Sequence, residues 1–363
     1  MHVRGEQWQI ESAAGGSTSR VQSSSETASS CSSDSDEQET EQEEPSAEQL
    51  RRRVSQLEQL LAEASQQKKP FSYSDIENND CLLCQYTGLP NNETFAILCD
   101  LIKRFDIDNV LDWKVNNMSI ECQLLLTLMK FKLNLPHFDL AYRFGVSVGT
   151  VSNIFVTMVW VLYQVQWESI MAKSIPSRQK CQESVPLSSC KFPNCRLIIE
   201  CTEVSIDVPG DLNHHCSTYS NHKGRATFKA LVACAPNGVL VYASDLYGGS
   251  THDKAITKDC GILDCLDTGD AILADKGFTI RDLLPAGVTV NMPAFLCHGQ
   301  FSATEVDTNK RISSVRIHIE RAIQRIKIFK IFNKIPWQHR KIANKLFKVC
   351  VASTNLQKNH SRT

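Results

Sequence analysis

Three long β-branched runs in the second half of the chain constrain its fold more than any other feature. Residues 196–208 read RLIIECTEVSIDV, and Ile198, Ile199, Val204 and Ile206 favour a strand. ATFKALVACAP and GVLVYASDLY follow, joined by Pro236-Asn237-Gly238, a hairpin-type turn signal. A shorter run, DAILADKGF, ends in Asp275. Helical periodicity returns over residues 311–330, where Glu320 lies four residues after Arg316 and seven before Lys327. At about 3.6 residues per turn these three share one face. Ile319, Ile323 and Ile326 form the opposite, apolar stripe that seats such a helix on a core. Strands with a packed helix make this an α/β chain.

Acids interrupt or end these runs. Glu200 and Glu203 sit within the first, Asp253 opens a helical stretch after YGGST, and Asp275 closes the last. Buried carboxylates are expensive unless paired or metal-bound, so a cluster of them is a site candidate. Glu320, alone among basic residues on an anchored helix, suits a divalent metal beside a polyanion. The competing reading of that helix is a solvated face laced with salt bridges.

In order along the chain, IIECTEV, DLYGGSTHDKAIT, LADKGF, NMPAF and RIHIERAIQRIK resemble the DDE superfamily endonuclease domain of Harbinger-type transposases. These are the eukaryotic relatives of the bacterial insertion-sequence-5 group, and the resemblance covers roughly residues 70–350. Arg316, Glu320 and Lys327 match the R-x3-E-x6-K signature of that group, while Ser313 stands where its tyrosine falls. The resemblance implies an RNase H-like mixed sheet flanked by helices. Its catalytic acids lie on the first strand, at the end of the fourth strand and on a later helix. Glu320 maps to the helix, and Asp275 to the fourth strand, because residues 254–266 read as a helix between it and the third strand. Asp253 matches the family's other recurring aspartate, as a ligand or an orienting neighbour, and the sequence does not rank it against Asp275.

The first-strand position departs from the family. Its pattern is I-I-D-C-T-E, and here Glu200 replaces the aspartate. One methylene moves a carboxylate by about an ångström, a misplacement that can lower a rate about 10²-fold. The resemblance therefore implies one of two functions. The first expectation is metal-dependent phosphodiester cleavage and strand transfer on DNA in the nucleus. Glu200, Asp253, Asp275 and Glu320 then serve as catalytic residues and ligands of Mg²⁺ or Mn²⁺, Arg316 and Lys327 hold phosphate, and an accessory DNA-binding protein assists. The alternative is a catalytically impaired DNA-binding protein that retains the transposase scaffold.

Elsewhere, residues 1–48 form a Ser/Glu-rich arm, expected to be disordered because residues 12–48 carry almost no large apolar side chains. Residues 49–67 place Leu50, Val54, Leu57 and Leu61 on a short heptad seam, a coiled-coil-like helix through which copies can associate. Residues 70–175 read as helical, with a helix-turn-helix over about 119–165. In it Ser147, Thr150, Ser152 and Asn153 face a DNA groove, and Arg143 lies near a phosphate. The endonuclease domain is expected over 195–350. Residues 304–363 hold 14 Lys or Arg against three acids, a basic surface around Glu320. Cys81 and Cys84 have no second pair at zinc-finger spacing, and His214, His215 and Cys216 read as a polar loop. The 15 irregularly spaced cysteines read as small core residues, and no apolar run reads as long enough to cross a membrane.

Overall fold

The structure is a computed structural model that describes residues 46–357 apart from 66–68, 106, 108, 112, 173–174, 184–191, 295 and 297–298. The acidic arm lies outside these residues, as does the side chain of Leu61. Helix α1, Ala47–Ser65, belongs to a unit that ends at Lys69. Leu50, Val54 and Leu57 all lie exposed on it.

Pro70–Thr363 forms the second unit. Its first helices are α2 (Asp80–Thr87), α3 (Asn92–Lys103), α4 (Ile120–Leu133), α5 (His137–Phe144) and α6 (Val148–Leu162). Short polar residues start four of them, with Asn79 capping α2 through the Leu82 amide. Asn91, Ser119 and Ser147 accept from the amides of Thr94, Cys122 and Thr150, satisfying donors that an unstarted helix leaves bare. Asn134 and Gly145 end α4 and α5 in the left-handed region, at φ 55° and 65°. Helix α6 runs on as a π-helix to Met171. Contrary to the sequence expectation, Val148–Met171 is long and apolar enough to cross a membrane by length and composition. Its apolarity has a local cause: Val151, Ile154, Phe155, Met158 and Leu162 are all buried in the protein core.

After α7 (Arg178–Glu183) comes a curled mixed sheet. Its strands are β1 (Cys195–Ser205), β2 (Tyr219–Ser220), β3 (Arg225–Cys234), β4 (Leu240–Ala243), β5 (Tyr247–Gly248), β6 (Ala271–Leu273) and β7 (Thr289–Asn291). The central path is β2-β3-β1-β6-β7, with β4 and β5 also on β3. Strand β3 runs antiparallel to β1, while β6 and β7 run parallel to it. The hairpin from β3 to β4 turns at Gly238, φ 84°. Helices α8 (Leu212–Thr218) and α9 (Asp253–Asp259) lie between strands, and α10 (Ala303–Lys327) and α11 (Ala343–Asn355) close the chain. The residues expected as a polar loop at His214 thus belong to a short helix capped by Asp211.

Alternation along β1 divides the interior in two. Ile198 and Val204 share a cluster with Val315, Ile319 and Ile326 of α10 and with Leu128 and Phe155 of the N-terminal helices. Leu197 and Ile199 face the other way, onto Ile256, Ile272 and Phe278. The helix-turn-helix region and the sheet therefore share one core. Every described cysteine is free, and Cys234 and Cys350 are fully buried.

Candidate active site

Glu200 points from β1 to the α10 side of the sheet, the face it shares with Ile198 and Val204. There it meets Arg316, whose Nη2 donates to Glu200 Oε2 at 2.7 Å. Arg316 Nη1 lies 2.9 Å from Asp275 Oδ1, and Nη2 lies 3.8 Å from Glu320 Oε1. Asp275 arrives because β6 is parallel to β1 and ends two residues earlier. Glu320 arrives because Val315, Ile319 and Ala322 anchor α10 and leave the intervening face towards the sheet end. Three carboxylates from remote parts of the chain thus converge on one guanidinium.

The environment of these groups is uneven. The Glu200 and Arg316 side chains are 20% and 12% exposed, Asp275 and Glu320 46% and 54%. Burial pushes the Glu200 carboxyl up from its ordinary 4.5; Arg316 opposes this, while Asp275 and Asp253 reinforce it. A carboxyl raised in the folded state weakens folding as pH climbs from 4.5 through the folded value, and the penalty is complete above it. Arg316→Gln removes the opposing cation, so the Glu200 titration should move further up. Carboxyl ¹³C chemical shifts against pH measure this, and an unmoved midpoint contradicts the bridge.

Asp253 is placed differently. It opens α9, and Lys229 Nζ lies 3.3 Å from its Oδ1 and 3.9 Å from Glu203 Oε1. Glu203 faces Lys229 across the β1–β3 pair and also accepts from Thr227 Oγ1 at 2.7 Å. Burial and Asp253 together push the Cys201 thiol up. The turn into α9 needs its glycines: a Cβ on Gly248 would meet Ser217 O at 2.2 Å, and one on Gly249 would meet Thr218 O at 2.6 Å. Asp253 therefore neighbours the cluster electrostatically, while Lys229 holds it.

Oxygen donors alone surround the Arg316 position, the donor set that hard divalent cations prefer. Thr202 Oγ1, two residues from Glu200 on the same face of β1, is buried without a hydrogen-bond partner, and so is Arg316 Nε. The residue types therefore fit a metal, although the resident cation here is a guanidinium. Among the described residues no three His, Cys, Asp or Glu form a group spaced to hold a metal ion.

The helix-turn-helix residues are only partly surface groups. Arg143 is exposed and pairs with Asp139 at 2.8 Å, and Ser147 caps α6. Thr150 and Ser152 are half-buried, with Ser152 Oγ 3.0 Å from His137 Nδ1. Asn153 corrects the expectation of a groove contact. It is fully buried, donates to Trp113 O at 2.9 Å and accepts from the Leu111 amide at 3.3 Å. Two exposed aromatics on α5, Phe138 and Tyr142, were not anticipated; their i, i+4 spacing is the only sequence signal that groups them.

A mixed sheet thus brings acids together from its first strand, the end of a later parallel strand and a C-terminal helix. Residues 199–355 match the family described as DDE superfamily endonuclease, and residues 116–165 match the helix-turn-helix of DDE superfamily endonuclease. The chain carries a DDE superfamily endonuclease domain preceded by the helix-turn-helix that accompanies it. No curated protein and no solved structure matches it.

Proposed function

We propose that this protein is a Harbinger-type, transposon-derived DNA endonuclease that cleaves phosphodiesters with the help of Mg²⁺ or Mn²⁺. The observation that carries the reading is the meeting of Glu200, Asp275 and Glu320 around Arg316. Those three carboxylates would hold the cation, with Asp253 as the orienting neighbour through Lys229. Held there, the cation would supply Lewis-acid activation and neutralise the charge that develops on the phosphodiester. The protein's own groups bind and orient: Arg316 and Lys327 neutralise backbone phosphate, and the helix-turn-helix brings the duplex. The nucleus is the compartment that goes with this substrate. An accessory DNA-binding protein rests on the family resemblance alone.

A second reading, a DNA-binding protein with impaired cleavage, is favoured by Glu200 in place of aspartate and by its direct bond to Arg316. A nicking assay on supercoiled DNA in Mn²⁺ separates the two, comparing the native chain with Glu200→Asp and Glu320→Gln. Native cleavage lost in Glu320→Gln supports the endonuclease. Cleavage by Glu200→Asp alone supports the impaired binder, and no cleavage by any chain sinks the first reading.

Self-association is assigned to α1. Leu50 and Val54 are each 53% exposed and Leu57 49%, a stripe that a second copy can cover. Light scattering should give a dimer mass for the full chain and a monomer mass for Leu50→Gln/Leu57→Gln. Equal masses for both count against α1 as the contact.

A further inference from the structure

We propose that Lys223, Arg225 and Lys327 form a seat for a second DNA backbone phosphate, distinct from the carboxylate cluster. The inference rests on the DNA-cleaving reading and adds the path of the strand.

A cleft of about 290 Å³ is bounded by these three cations together with Glu203, Thr227 and Asn333. Glu203, its one acid, is already engaged by Thr227 and Lys229 and is only 9% exposed. No ion pair joins Lys223, Arg225 or Lys327 to a carboxylate among the described residues. The three cations therefore outnumber the one acid of the cleft. Desolvation pushes the Lys327 ammonium down, the Lys223 and Arg225 cations push it the same way, and together they outweigh Glu203 and Glu200, which push it up. An anion in the cleft relieves that repulsion.

Spacing identifies the anion as part of a polymer. Along α10, Lys327 lies seven residues beyond Glu320, about 10 Å at 1.5 Å per residue. The cleft therefore lies about two helical turns along α10 from the carboxylate cluster. A strand with its reacting phosphate at the cluster passes a neighbouring phosphate over the cations. Such contacts fix register without reading sequence.

The test is fluorescence anisotropy of a labelled duplex against salt, for the native chain and Lys223→Gln/Arg225→Gln. Both side chains are exposed, so the variant should keep its thermal midpoint. Each lost phosphate contact lowers the log–log salt slope by about 0.9, giving about 1.8 for two and on the order of 50-fold weaker binding at 0.1 M salt. An unchanged slope and affinity overturn the seat. So does weaker binding of a labelled mononucleotide with duplex binding intact, which means a free-phosphate pocket. Failure of the nuclease reading shows separately, as nicking that survives Glu320→Gln, and leaves this slope where it is.

Discussion

Asp275→Asn should lower metal-dependent DNA nicking by about 10³-fold while duplex affinity stays within a few-fold. A metal clamp stabilises the transition state by several kcal/mol, and each 1.36 kcal/mol is a factor of about ten. The variant keeps its shape and one acceptor oxygen but loses the charge that Arg316 meets at 2.9 Å. Asp275 is 46% exposed, so little folding energy depends on it and the loss is one of chemistry. Equal nicking rates for variant and native chain would exclude Asp275 from the machinery. Asp253→Asn is the natural companion. Its bond to Lys229 predicts a smaller loss, expressed through orientation of the neighbouring acids.

The aspartate just before the same strand should fail in the opposite way. Asp270 is fully buried and receives Arg178 Nε at 2.8 Å, Arg178 Nη2 at 2.7 Å, Arg196 Nη1 at 2.6 Å and the Asp267 amide at 2.9 Å. Asp270→Ala leaves Arg196, itself 8% exposed, with the exposed Asp267 as its one remaining acid partner, beside the Pro176 carbonyl that its Nε keeps. Breaking a buried pair from one side costs about 3–5 kcal/mol, a fall of roughly 6–15 °C in Tm. Burial raises the Asp270 carboxyl, yet Arg196, the Asp267 amide and Arg178 outweigh it and hold it below its ordinary 3.8. A depressed carboxyl stabilises fully above 3.8 and loses that contribution as pH falls through the folded value. The gap between native and Asp270→Ala should therefore be widest near neutrality and shrink in acid. Calorimetry across pH reads both, and a gap independent of pH contradicts the network. Asp282→Ala, which removes an exposed pair with Lys254, should leave Tm where it is.

The contrast shows what could be read from the residues. Strands β1, β3, β4 and β6 and helix α10 were legible because alternation and helical periodicity are local patterns that burial enforces. Strand β7 was not, since three residues with one exposed Thr carry no alternation. Membership of Glu200, Asp275 and Glu320 in one cluster was foreseen from the family pattern. The ion pair from Arg316 to Glu200 was not, because it spans 116 residues of sequence. Nor did the sequence separate Asp253 from Asp275, because each follows a strand, and only the sheet order sends one to Arg316 and the other to Lys229. Asn153 looked like a groove reader because small polar residues open α6; the chain around Leu111 and Trp113 claims its amide instead.

Crystals of the protein with bound DNA and Mn²⁺, examined at the manganese absorption edge, put the central claim to its most direct test. The account predicts an anomalous peak enclosed by the carboxylates of Glu200, Asp275 and Glu320, with the Arg316 guanidinium moved off them onto phosphate. Manganese seated elsewhere, or Arg316 still joined to Glu200 and Asp275 at saturating Mn²⁺, would contradict it.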